Sequence, residues 1–294
     1  MNILITGGTG FIGSALCSRL LESQHHLVVL SRHPEKIKSP VQGIGSLGQL
    51  TDDIVFDAVI NLAGEPIVNK RWSHRQKQRI LSSRLDTTKA LIAYFARIDR
   101  KPDVFISGSA IGYYGIGKTN EPIDETGSGD DSFSSQICRE WEAIALGAEH
   151  LGIRTCLLRT GIVLGKGGAL GKMLGPFKLG GGGKLGQGTQ WMSWIHINDL
   201  IGIILHCLEQ GEVQGPVNGT APNPVTNQQF TKALGTVLNR PTFFSVPAVA
   251  IKLAMGQMGE ELLLTGKRIL PRKIQDAGYT FLYENLEEAL ADVI

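Results

Sequence analysis

The residues TGGTGFIG (6–13) have the spacing best suited to chemistry. Gly7, Gly10 and Gly13 stand three apart. They follow a short β-branched-rich run, NILIT (2–6), and precede a helical pattern at 12–23. In that setting each glycine has a physical task. The first permits a tight turn, the second lets the backbone approach a pyrophosphate, and the third lets helix and strand pack closely. The helix that follows offers unpaired N–H groups and a positive dipole end to phosphate. A second strand-like run, HLVVLS (26–31), ends in Ser31, Arg32 and His33, with no acid. An acid there would bond a ribose 2′-hydroxyl, whereas serine and arginine suit a 2′-phosphate. The expected ligand is therefore NADP(H), with Ser31 and Arg32 at its phosphate.

Other stretches also carry residue types that could bind or react. GYYGIGKT (112–119) matches a nucleotide-triphosphate loop by pattern, but a helix must start at its lysine. NEPIDETGSGDD follows instead, so an ATP site is not expected. KRWSHRQKQRILSSR (70–84) holds six Lys/Arg and no acid. It can draw an anionic cofactor or substrate, or be a solvated helix face with Ile80, Leu81 and Leu85 turned inward. His196 and Asp199 lack a third ligand nearby, so no metal is expected. They can bound a substrate pocket or tie a loop to the next helix. The run GGGG (180–183) reads as a moving lid or an anion cradle.

These groups need elements to hold them. Strand-like runs recur at 2–6, 26–31, 57–64, 103–109, 154–165, 191–199 and 215–222. Helical patterns lie between them at 12–23, 73–97, 133–150 and 200–210. Such alternation predicts an α/β fold, a Rossmann-type doubly wound parallel sheet with helices on both faces. The segment 165–188 is too glycine-rich to read as one ordinary helix. The expected division is a dinucleotide-binding core over 1–165, with later strands near 191–222 returning to it. A smaller C-terminal substrate lobe is expected mainly from 166–294.

Composition narrows the function classes. The 294 residues are 42% hydrophobic and 19% charged, with a formal net charge of +2. That balance is that of a soluble globular protein and gives no general nucleic-acid footprint. Cys17, Cys138, Cys156 and Cys207 show no CxxC or metal spacing, which fits a reducing compartment. The opening MNILITGG has no signal-peptide pattern, and no apolar run is long enough to span a bilayer. A cytoplasmic protein is expected, without nucleic-acid or membrane partners. Its expected partners are a small-molecule substrate, anionic if the basic stretch attracts it, and a second copy in a homodimer.

Taken together, TGGTGFIG, NLAGE (61–65), SGSAIGYYG (107–115) and WIHINDL (194–200) resemble the extended short-chain dehydrogenase/reductases. NLAGEPI, SRLDTT (83–88), CREWE (138–142), RTGIVLGKGGAL (159–170) and QWMSWIHIND (190–199) are similar to the bacterial "epimerase family" proteins of the YfcH type, in the NAD-dependent epimerase/dehydratase superfamily. The resemblance covers essentially the whole chain. It implies that Gly7, Gly10, Phe11, Ile12 and Gly13 hold the pyrophosphate, and that Leu62, Ala63 and Gly64 line the adenine-ribose side. It puts Arg84 near the cofactor, Ser107 and Gly108 under the nicotinamide, and Ser109 against a substrate oxygen.

The wider family pairs that serine with a tyrosine and a lysine. The lysine lowers the pKa of a phenol whose unperturbed value, about 10, is far from neutral. The usual Y-x-x-x-K-x-x-x-E stretch aligns here on Ser134, Cys138 and Glu142, so neither member of the pair is present. Three readings stay open. Tyr113 or Tyr114, at the mouth of the site, could transfer the proton, with Cys138 near the cofactor. The protein could bind NADP(H) without fast turnover. Or residues such as Lys166, Lys184 or His196 could offset the loss.

Overall fold

Seven parallel strands set the frame of this computed structural model, which describes residues 1–51, 54–117 and 119–294. They are β1 (Asn2–Thr6), β2 (His26–Leu30), β3 (Gln42–Ile44), β4 (Ala58–Asn61), β5 (Val104–Ala110), β6 (Arg154–Thr160) and, out of chain order, β11 (Gly215–Gly219). Their order across the sheet is β11-β6-β5-β4-β1-β2-β3. The central strands read as nearly unbroken apolar runs because both faces are covered. All four residues of β4, for example, are buried. The expected Rossmann-type doubly wound sheet is the one observed. Strand β3 was missed in the sequence because a three-residue run containing Gly43 carries no periodicity.

Helices α1 (Phe11–Glu22) and α5 (Ile197–Glu209) cover one face, burying Leu16, Leu20, Ile201 and Ile204 against β1, β4 and β6. The other face carries α2 (His74–Arg97), α3 (Phe133–Ala145) and the turn at 146–151, around Leu91, Phe95, Phe105 and Ala148. Phe95 and Phe105 meet edge to face, with centroids 5.2 Å apart. Each such side chain contributes about 1.5–3 kcal/mol by leaving water. Ser73 and Ser132 start α2 and α3 by accepting the N–H of Gln76 and Ser135, a capping contact worth about 1 kcal/mol.

The rest of the chain builds a second layer beyond the sheet edge. It contains β7 (Ile162–Leu164), α4 (Gly168–Lys178), β8 (Gly183–Leu185), β9 (Trp191–Met192), β10 (Trp194–His196), β12 (Val225–Thr226) and α6 (Asn227–Leu238). It ends with β13 (Phe244–Val246), α7 (Ala248–Met255), α8 (Gln257–Leu263), α9 (Arg272–Asp276) and α10 (Leu286–Val293). Trp194, Phe230, Leu234 and Leu290 form its core. Among the described residues no helix is long and apolar enough to cross a membrane.

The glycine-rich segment differs from its sequence reading. An 11-residue helix, α4, forms within it and buries Leu170 and Phe177. Three of the four glycines that follow it have a local reason. Gly180 ends the helix at φ +77°. A Cβ on Gly182 would strike the Phe177 ring at 2.5 Å, and one on Gly183 would lie 2.2 Å from the Phe244 carbonyl oxygen. The run is the stop of α4 and the start of β8.

Candidate functional site

The strand register gathers the predicted site residues at one edge. Thr6 lies beside Leu30 on one side and Asn61 on the other, and Asn61 lies beside Ser107. The residues that follow these strands therefore emerge together at their carboxyl ends. Chain order reverses there, between β1 and β4, and in open α/β sheets that switch point is the ligand crevice.

Within the glycine loop, Gly7 takes φ +72°, and a Cβ there would lie 2.6 Å from the Leu62 carbonyl. A Cβ on Gly13 would stand 2.2 Å from the Gly7 oxygen. At Gly10 the only obstacle to a Cβ within 4 Å is Gly7 O, at 3.2 Å. That leaves the open side of the loop bare, as a pyrophosphate requires. Ile12 sits in the first turn of α1. Phe11 opens α1, and its side chain turns toward the segment after β7. Its ring is clasped by Gly165, Gly167 and Gly168, whose added Cβ atoms would approach it to 2.7–3.0 Å. Ser31 donates its N–H to Ile44 O at 2.9 Å, and its hydroxyl accepts the His33 N–H at 3.1 Å. Arg32 is exposed, with no ion pair among the described residues. The donors present fit a dinucleotide carrying a 2′-phosphate.

Behind this loop lies a buried hydrogen-bond chain. Thr6 Oγ1 donates to Asn61 Oδ1 at 2.6 Å and accepts the Ala63 N–H at 3.2 Å. Asn61 Nδ2 and Trp141 Nε1 both donate to Thr88 Oγ1 at 2.9 Å. Leu62, Ala63 and Gly64 are thereby fixed beside the glycine loop. Gly64 makes room for Arg84, whose guanidinium carbon would sit 3.0 Å from a Cβ there. Arg84 donates to the carbonyls of Glu65 and Ile80 at 3.1 and 3.0 Å. Burial holds its pKa below the usual arginine value, partly offset by its closeness to Cys138 and Glu65.

The end of β5 leads to the centre of the site. Ser107 and Gly108 are buried, and Gly108 has no space for a Cβ between Trp141 and Asn61 O. Ser109 Oγ donates to Glu142 Oε1 at 2.6 Å. Glu142 in turn receives Arg159 Nε at 2.9 Å and Nη2 at 2.8 Å. Burial alone would depress the Arg159 guanidinium, yet the hydrogen bonds and charge of Glu142 hold it above its usual value. The Tyr113 ring lies over that guanidinium, 3.4 Å from ring centre to carbon.

Tyr114 departs from its expected place at the mouth. It is fully buried. Its hydroxyl donates to Asn218 Oδ1 at 2.7 Å and accepts from Arg159 Nη1 at 3.0 Å. Burial pushes this phenol up to about 12. Having entered the same interior network as Arg159, it cannot meet a ligand from solvent. Tyr113 remains partly exposed. Cys138 is buried, and its thiol is pushed up to about 11, first by burial and then by Glu142. That leaves it a neutral thiol at physiological pH.

Two acids here escaped prediction as functional. Glu142 was noted only as an alignment landmark, and its pairing with Arg159 crosses from helix to strand. An acid on the inward stripe of α3 and an arginine after the apolar run of β6 are the available signals. Glu261 of α8 accepts the Ser134 N–H at 2.9 Å and the Ser134 hydroxyl at 2.8 Å. It also accepts Gln257 Nε2 at 2.7 Å. The C-terminal segment thus reaches the first turn of α3 at Ser134.

The remaining candidates serve elsewhere. His196 is buried, takes the Asn198 N–H on Nδ1 and meets Asp292 through Nε2, both at 3.2 Å. Asp199 accepts the Tyr279 hydroxyl and the N–H groups of Leu282 and Tyr283. The pair ties the C-terminal segment to the start of α5. The lysine of 112–119, Lys118, lies outside the described residues, and among those described the next helix is α3 at Phe133. A cleft of about 480 Å³ opens beside the second layer, lined by Asn120, Gln190, Trp191, Lys252, Glu260 and Thr265.

Comparison with known proteins places these features in context. A family model described as the NAD dependent epimerase/dehydratase family matches residues 3–218. A second, for a domain of unknown function, matches residues 246–293. Epimerase family protein SDR39U1 of Bos taurus is 39% identical over 298 residues, covering all of both chains. Epimerase family protein YfhF of Bacillus subtilis is 38% identical and covers 100% of this chain and 98% of its own. The crystal structure of human SDR39U1 isoform 2 with NADPH superposes with a TM-score of 0.90 at 35% identity, covering 100% of this chain and 99% of that one.

Proposed function

The chain belongs to the NAD dependent epimerase/dehydratase family, and from that premise we propose that it is an NADP(H)-dependent oxidoreductase or epimerase-like enzyme acting on a small anionic substrate. The observation that carries the cofactor is the neighbourhood of the glycine loop. Gly7–Gly13 stands beside Ser31 and Arg32, in a position where an acid would have selected the ribose hydroxyl. The human relative crystallised with NADPH supports the same choice.

When bound, NADPH supplies hydride at its nicotinamide. The chain's own groups would position and protonate. Leu62, Ala63 and Gly64 would hold the adenine-ribose side, and Ser107 and Gly108 would support the nicotinamide. Ser109 donates its hydroxyl hydrogen bond to Glu142, so its oxygen would be free to accept one from a substrate hydroxyl. Tyr113 is the proton donor we favour, because it is the partly exposed phenol next to a permanent cation. Arg84 would supply the fixed positive charge that the wider family obtains from lysine, since Cys138 at that position stays neutral. Residues 1–165, with β11, form the proposed cofactor core, and 166–294 the proposed substrate lobe. A reducing compartment such as the cytoplasm suits the four buried free cysteines.

A second reading has its own support. Ser134 is committed to Glu261 and Cys138 is buried, so the positions aligned with the family's tyrosine and lysine carry no acid or base. That favours a protein that binds NADP(H) without turnover. Following NADPH absorbance during incubation with carbonyl compounds and sugar nucleotides separates the two. Oxidation that falls at least about 100-fold in Tyr113→Phe supports the enzyme. Tight NADPH binding with no oxidation across the panel supports the binder.

A further inference from the structure

One surface of the second layer is unlike the rest. The run PTFFSVPAVAI (241–251) contains no charged residue, yet it lies open to solvent. Phe243 is 92% exposed, Phe244 62%, Val249 67% and Leu253 74%. Val246 and, at the nearby end of α4, Leu179 are also exposed. Val249 and Leu253 are one helical turn apart and share a face of α7. Arg240 Nε donates to Lys178 O and holds the α4 end against this run. Together the six side chains offer roughly 700 Å². Single monomers seldom leave so large an apolar patch bare, and it approaches the roughly 800 Å² that each partner contributes to a stable interface.

The backbone adds a direction. Among the described residues β13 pairs with β8 alone, in parallel. The carbonyl of Val246 accepts the Gly186 N–H at 2.8 Å and so faces β8. By strand alternation, the N–H and C=O of Ser245 face the other way, along an unpaired edge. Exposed edges are normally guarded by charge. Within 241–251 no charge guards it, and Pro241 and Pro247 merely limit its length.

We propose that this edge and its apolar surround form a two-fold homodimer interface, in which β13 pairs antiparallel with β13 of a second copy about Ser245. The two Ser245 residues would exchange both backbone hydrogen bonds. Phe244 would then stand opposite Val246 of the second copy, and Val246 opposite its Phe244. Aromatic and β-branched cross-strand pairs of this kind are stabilising. A second copy fits better than a charged partner or an anionic membrane, because an uncharged surface meets itself without repulsion and a dyad makes the edge self-complementary. The inference is independent of the proposed function.

Sedimentation velocity of the full chain over a concentration series tests it. The expected result is a monomer–dimer equilibrium in the micromolar range. Phe244→Lys should raise its dissociation constant at least about 100-fold, while Leu282→Lys, exposed elsewhere, leaves it unchanged. NADPH affinity should be the same in Phe244→Lys, which separates failure here from failure of the cofactor reading. Ser245→Cys should cross-link on treatment with diamide, because paired Cα atoms about 5.5 Å apart are within disulfide reach and the native cysteines are buried. A chain that stays monomeric at every concentration overturns the proposal. So does a dimer that survives Phe244→Lys and is not trapped by Ser245→Cys, or a monomer that instead sediments with phospholipid vesicles.

Discussion

Glu142→Gln removes one charge from the most enclosed ion pair of the site and leaves its shape. Arg159 is 2% exposed and Glu142 5%. The two make contacts of 2.8 and 2.9 Å, and Ser109 adds a third donor at 2.6 Å. Glutamine keeps an acceptor for Ser109 but leaves the guanidinium without its counter-charge. Breaking one side of a buried pair costs about 3–5 kcal/mol, mostly the desolvation of the charge left behind. Urea unfolding followed by tryptophan fluorescence should show a loss of that size, with the melting temperature falling by roughly 5–10 °C. Removing both charges, in Glu142→Leu with Arg159→Met, should recover most of the loss, because neither partner is then stranded. A Glu142→Gln loss below about 1 kcal/mol would refute the reasoning, since that is the range of solvent-exposed pairs.

Three further outcomes follow from the geometry. Arg32→Ala should cut the preference for NADPH over NADH by roughly 10- to 100-fold, the value of one charge-assisted contact to phosphate, as read by fluorescence titration. Gly13→Ala should weaken NADPH binding more than about tenfold, because its Cβ would meet Gly7 O at 2.2 Å and force the loop to move. The third concerns acid. Burial lowers the pKa of His196 below its ordinary 6.5, so the unfolded chain binds a proton that the folded chain refuses. Stability should therefore fall as pH drops below about 6.5, until the lowered folded value is reached, and recover as pH rises. His196→Gln should flatten that part of the stability profile measured by urea denaturation.

What the sequence revealed depended on how local each cause was. The glycine loop was legible because the turn, the strand before it and the helix after it lie within a dozen residues. The parallel sheet was legible because strands buried on both faces read as apolar runs. Glycines 165–183 misled, since their reasons are distant rings and carbonyls: Phe11 for Gly165, Gly167 and Gly168, and Phe244 for Gly183. Tyr113 and Tyr114 looked equivalent as neighbours, yet one meets solvent and the other enters the Arg159 network. No periodicity foretells that Glu142 meets Arg159 or that Glu261 caps α3. Those contacts depend on how two layers dock.

The central claim is that the crevice between β1 and β4 binds a dinucleotide through its 2′-phosphate. Isothermal titration of the wild-type chain with NADPH and with NADH tests this most directly. The account predicts one site per chain and an affinity for NADPH at least about tenfold above that for NADH. Equal affinities, or tighter NADH, would contradict the assignment of Ser31 and Arg32, and binding of neither would contradict the site itself.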